Sequence, residues 1–122
     1  MDFENKQPIY TQIADFFCEN ILKKEWKENE KIPSVRDIAI QVEVNPNTAM
    51  RAFTFLQDHG IIYNKRGIGY FVAEDGYEKA LDMRKTEFIQ KDLPYLFKTM
   101  SLLSLTLKDL TGFYKQHFSS DI

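Results

Sequence analysis

One cysteine, Cys18, stands in the 122 residues, so no internal disulfide framework can form and a cysteine-based metal cluster is not expected. The two histidines, His59 and His117, lie far apart with no ligand spacing around them, and no metal or cofactor is expected. No apolar run approaches the roughly 20 residues that span a bilayer, which excludes a membrane partner at this stage. The leading MDFENKQP is acidic and polar, unlike a secretory signal, and a reducing cytoplasm is the expected setting. Phosphate loops, GxSxG and HExxH are all missing, so enzyme chemistry is not expected. Gly67-Ile68-Gly69 lacks the strand–helix unit of a nucleotide site. An excess of positive charge is missing too, with 16 Lys and Arg against 18 Asp and Glu. That net charge of −2 neither supports nor excludes a nucleic-acid partner, because a local cluster of cations suffices to meet phosphate.

What the chain does have is apolar material: 43% hydrophobic residues, including 10 Phe and 6 Tyr. That is enough for one small domain with a helical appendage. From Ile9 to about residue 25, Ile9, Ile13, Phe16, Phe17, Ile21 and Leu22 recur at helical spacing, with Pro8 at the tolerated start. The polar stretch KEWKENEK ends this helix, and Trp26 reads as a plug over the core. A second helix begins at Ser34, with Asp37 completing an approximate capping box and Val35, Ile38, Ala39 and Val42 as its inward stripe. Glu43-Val44 turns the chain. Asn45 then caps a third helix with Pro46 in its first position, Ala49, Ala52, Phe53 and Leu56 facing inward, and Gly60 ending it.

Two β-favouring runs, residues 61–64 and 68–72, flank Lys65-Arg66-Gly67 and predict a hairpin. The fold class read from this order is mainly α with a small β wing. A winged helix-turn-helix domain occupies residues 1–75, and a short C-terminal helical dimerisation region occupies 76–122. In the latter, Pro94 separates a shorter helix, from Tyr77 to Asp92, from a longer one. Along the longer one Leu96, Met100, Leu103, Leu107, Leu110 and Tyr114 alternate steps of four and three, an a/d seam for a partner helix. The alternative is an intrachain core for the same stripe.

In a helix-turn-helix the second helix enters the major groove N-terminus first. That end presents Asn45, Asn47, Thr48 and Arg51, side chains suited to base edges and phosphate. Asn45 reads first as a cap, whereas Arg51 points to DNA. Ser34 and Arg36 open the preceding helix as a phosphate clamp, or Arg36 pairs with Asp37 or a nearby Glu. Lys65, Arg66 and Gly67 form a basic wing turn suited to minor-groove or phosphate contact.

These pieces, PIYTQI, IPSVRDIA, VNPNTAMRAF and GIGYFV, resemble the DNA-binding domain of the GntR family of transcriptional regulators over residues 8–72. The loop before IPS departs from the family, with KEWKENEK where glycines and a proline are usual. The resemblance implies DNA contacts by Ser34, Arg36, Asn47, Thr48, Arg51, Gly67 and Gly69. The short region after the wing looks like the small YtrA-type subfamily, in which a pair of helices dimerises. A homodimer repressing from a pseudo-palindromic DNA operator is what this implies. Two other readings are a protein-binding winged helix and a ligand sensor with Tyr95, Phe97, Met100 and Phe113 around a pocket. No small-molecule effector is indicated.

Overall fold

The computed structural model describes residues 7–119; the leading residues 1–6, part of the stretch read above for a secretory signal, lie outside them. Three helices build the first core: α1 (Ile9–Leu22), α2 (Val35–Gln41) and α3 (Pro46–Asp58). Helix α1 buries Ile13, Ala14, Phe17, Cys18 and Ile21, and α3 buries Ala49, Ala52, Phe53 and Leu56. Phe17 and Phe53 meet edge-on with ring centres 5.0 Å apart. Each fully buried side chain of this size contributes about 1.5–3 kcal/mol. Trp26 stands edge-on to Phe16 and Phe17 at 6.1 and 5.0 Å, closing the end of that core.

Local chemistry sets the helix starts. The Asp37 N–H donates to Ser34 Oγ and the Ser34 N–H to Asp37 Oδ2, a full capping box. Asn45 Oδ1 accepts from the Asn47 N–H at 2.7 Å, so this side chain is engaged as a cap. At the other ends, α1, α2 and α3 stop in the same way, with a left-handed residue after the last turn: Lys24, Glu43 and Gly60, at φ 63°, 56° and 72°. In each case the N–H of that residue and the N–H of the next return to carbonyls of the final turn, as Glu43 to Ile40 and Val44 to Ala39.

Strands β1 (Ile62–Lys65) and β2 (Gly69–Val72) form the antiparallel wing, pairing Ile62 with Val72 and Lys65 with Gly69. Residues 29–32, read from sequence as plain loop, lie along the free edge of β2. Lys31 bridges Phe71, the Ile32 N–H donates to the Tyr70 carbonyl, and the Val72 N–H to that of Glu30. Val72 is fully buried and Tyr70 packs on Phe53, so the opposite face of β2, with Gly69 and Phe71, is the outer one.

Helix α4 (Gly76–Glu87) starts against this core. A Cβ at Gly76 would stand 2.8 Å from both the Ile61 carbonyl oxygen and Val72 Cγ1, a contact that only glycine permits. Ala80 is buried, Tyr77 and Met83 pack on the core, and Arg84 pairs with Asp15 at 2.6 Å. This compact unit runs to Arg84 and a second begins at Lys85.

The second unit corrects the sequence reading at two points. Pro94 does not separate two helices. A π turn, Phe88–Asp92, leads directly into α5 (Leu93–Leu102), with Pro94 in its first turn. There the missing N–H costs little, and the wider turn makes room for the proline ring. The break comes later. Leu103 caps α5, Ser104 is left-handed at φ 58°, and α6 (Leu107–Ser119) starts afresh. Thr106 and Asp109 form the new cap, the Asp109 N–H donating to Thr106 Oγ1 and the Thr106 N–H to Asp109 Oδ2. The continuous heptad helix is therefore two helices.

Candidate nucleic-acid interface

Helix α3 presents one ridge to solvent. With Ala49, Ala52, Phe53 and Leu56 directed inward, the 100° step per residue puts Asn47, Arg51 and Thr54 on the opposite side. All three are exposed, as is Met50 beside them, whereas Thr48 is half-buried and its N–H is held by the Asn45 carbonyl. Met50 and Thr54 were absent from the sequence reading. The helical wheel that selected the inward stripe also selects them.

Among the described residues Arg51 makes no ion pair; its guanidinium lies over the Tyr10 ring at 4.4 Å. Arg36 is exposed and, among the described residues, pairs with no carboxylate, because Asp37 is occupied by the Ser34 cap. The alternative of an Arg36–Asp37 pair is thus not realised. Ser34 is exposed, with its hydroxyl accepting the Asp37 N–H.

On the wing, Arg66, Gly67 and Ile68 make the turn, and the Ile68 N–H closes it on the Lys65 carbonyl. Lys65 sits within β1, and its ammonium lies 4.9 Å above the Phe71 ring. This corrects its placement in the turn. Gly67 and Gly69 both hold positive φ, at 81° and 141°, which explains glycine at these positions. Lys31 is a further exposed cation on this element, and its side chain lies against Gly69. Only the pairing of residues 29–32 with β2 discloses it.

Among the described residues the ion pairs join other side chains: Lys23–Glu19, Lys79–Asp75 and Arg84–Asp15. The Lys23 hydrogen bond holds the Glu19 carboxyl below its ordinary range and, reciprocally, raises the Lys23 ammonium. Among the described residues Lys31, Arg36, Arg51, Lys65 and Arg66 have no such partner, so their charge remains available to an anion. Net charge conceals this division.

The residues read as a dimer seam all fall in the second unit but not on one helix. Leu96 and Met100 lie on α5, Leu103 caps it, and Leu107, Leu110 and Tyr114 lie on α6. Met100 is buried, whereas Leu103 and Leu107 are 64% and 74% exposed. Tyr95, Phe97 and Phe113 are exposed as well, and Met100 alone of that proposed pocket lining is buried. Among the described residues no three side chains group to hold a metal, and no helix is long and apolar enough to cross a membrane.

Comparison with known proteins places this arrangement. Residues 9–72 match the family described as bacterial regulatory proteins, gntR family. The chain is similar to the HTH-type transcriptional regulator YhcF of Bacillus subtilis, 37% identical with 88% of each chain covered. It is also similar to the HTH-type transcriptional repressor YtrA of the same organism, at 31% identity over all of this chain and 92% of that one. A GntR-family transcriptional regulator from Bacteroides thetaiotaomicron has the same fold, with a TM-score of 0.76 and 36% identity over 93% of this chain and 99% of that one.

Proposed function

The chain belongs to the gntR family of bacterial regulatory proteins, DNA-binding transcription regulators with a winged helix, and from that premise we propose that it is a homodimeric repressor reading a pseudo-palindromic operator. The observation that carries this reading is the outer ridge of α3, where Arg51 stands exposed beside Asn47 and, among the described residues, without an ion pair. Arg and Asn carry the paired donors and acceptors that match guanine and adenine edges in the major groove. Arg36, Lys65 and Arg66 supply charge for phosphates, which fix register and carry no sequence information.

Each protomer offers one such ridge, and a palindrome about one helical turn between half-sites requires two. The exposed Leu103, Leu107 and Tyr114 of the second unit supply apolar surface for the partner. Repression follows the relative named a repressor, YtrA, which this chain matches over its whole length. No substrate, cofactor or effector enters this reading.

The test is recovery of genomic fragments by the purified protein beside an Arg36→Ala/Arg51→Ala double variant, at two salt concentrations. Enrichment of a palindromic sequence that the variant loses supports the reading. Recovery of the same unsorted DNA by both proteins overturns sequence-specific binding and redirects the search to a protein partner.

A further inference from the structure

The outer face of the wing carries an arrangement that neither the turn residues nor the recognition helix explains. Strand β2 has two neighbours: β1, which sets Lys65 opposite Gly69, and residues 29–32, which set Lys31 opposite Phe71. Side chains alternate along a strand, so Gly69 and Phe71 share the face turned away from the core. Lys31 and Lys65 approach this face from opposite edges. A Cβ at Gly69 would lie 3.0 Å from Lys31 Cε and 3.8 Å from its Nζ, so the lysine stem crosses the strand where glycine has no side chain. From the other edge, Lys65 Nζ lies 4.9 Å above the Phe71 ring, and that ring is stacked on Tyr63 at 5.5 Å and 15°. Among the described residues neither lysine is ion-paired.

We infer that Lys31 and Lys65 form a clamp for a phosphodiester backbone across the outer face of the wing, with Gly69 kept bare so that Lys31 can reach over β2. This rests on the DNA-binding reading above and adds a residue to it. Phosphate is the chemistry that fits. Two ammonium groups are compact point charges without the planar fork that reads a base edge. Both stems rest on backbone or ring instead of extending freely, which lowers the conformational entropy lost on contact. Gly69 acquires a second role beyond its φ of 141°: it clears the path of a cation.

The experiment is fluorescence anisotropy of the full chain on two duplexes, a recovered operator and its scrambled version, across a salt series. Each neutralised phosphate steepens the fall of log K with log salt, adding about 0.9 to the magnitude of the slope. Lys31→Gln and Lys65→Gln are each expected to lower it by that amount on both duplexes, leaving the ratio between the duplexes unchanged. The affinity loss is then about threefold larger at 50 mM than at 200 mM salt. Lys23→Gln removes the same charge from a cation held by Glu19 and is expected to keep the wild-type slope. Gly69→Ala is expected to match Lys31→Gln, with the double variant no worse. Should Gly69→Ala fail to fold, the two lysine variants decide alone. Wild-type slopes for both lysine variants, with Arg51→Ala still impaired, overturn the clamp and leave the DNA reading standing. A wild-type protein that binds neither duplex overturns both.

Discussion

The guanidinium of Arg51 on α3 lies 4.4 Å over the ring of Tyr10, which belongs to the first turn of α1. Tyr10 in turn leans on Phe55 at 5.9 Å, and His59 stacks on Phe55 at 4.2 Å. The candidate base-reading arginine therefore rests at the head of an aromatic row that joins two helices. An exposed contact of this kind contributes about 0.5–1 kcal/mol, enough to bias the side chain without locking it.

Tyr10→Leu is therefore expected to weaken operator binding by about two- to fivefold, the equivalent of that contact. Scrambled duplex is expected to be bound as before. Tyr10→Phe keeps the ring and is expected to behave as wild type. An equal loss on both duplexes would assign Tyr10 a direct backbone contact instead.

Arg51→Ala is expected to cost about 1–3 kcal/mol on the operator and to relax preference at one base position. Arg51→Lys should not restore it, because a lysine lacks the bidentate fork. Competition with single-base operator variants measures both effects. Unchanged preference at every position would remove Arg51 from base reading.

Leu107, the first residue of α6 and 74% exposed, is expected to lie in the protomer contact. Leu107→Asp and Leu103→Asp should each give a monomer by light scattering and lose high-affinity operator binding. Trp26 fluorescence should report an intact winged core, since Trp26 packs on Phe16 and Phe17. A dimer that persists in both variants would move the interface elsewhere.

Glu43 ends α2 at φ 56°, where an L side chain crowds the following carbonyl. Glu43→Gly is expected to raise stability by about 0.5–1 kcal/mol, the relief exceeding the greater freedom glycine has when unfolded. Gly60→Ala, at φ 72°, should act in the opposite sense. Urea midpoints at constant slope measure the two together.

Asp109 has its carboxyl held below the ordinary range by the N–H and then the hydroxyl of Thr106. A folded-state value lowered in this way stabilises α6 fully above the unfolded carboxylate range. That contribution disappears as pH falls through the lower folded value. Titration of the Asp109 carboxyl by NMR should show it, and Thr106→Val, which removes the hydroxyl, should shift the titration upward. A titration unchanged by that substitution would place the cause elsewhere.

Much of the winged core was legible because the decisive signals are local. Ser34 with Asp37, and Asn45 with Pro46, announce helix starts within three residues, and the stripes Ile38–Ala39 and Ala49–Ala52–Phe53–Leu56 record burial at helical period. Gly60 marks an end because glycine tolerates the left-handed residue there. Lys24, Glu43 and Ser104 end helices in the same conformation without that mark, since the returning hydrogen bonds offset the strain. The end of α5 was readable in part: Thr106-Leu107-Lys108-Asp109 is a capping-box pattern, but the leucine spacing runs through it unbroken.

By itself the sequence determined the order of elements through the wing, the inward faces of α2 and α3, and the family, because propensity, capping and periodicity act over a few neighbouring residues. Tertiary structure alone decided which cations stay unpaired, that Arg51 rests on Tyr10, and that Lys31 crosses Gly69. These depend on which distant segments come within a few ångströms of one another. Charge–charge and cation–ring energies fall off over that range, so composition and spacing carry no record of them.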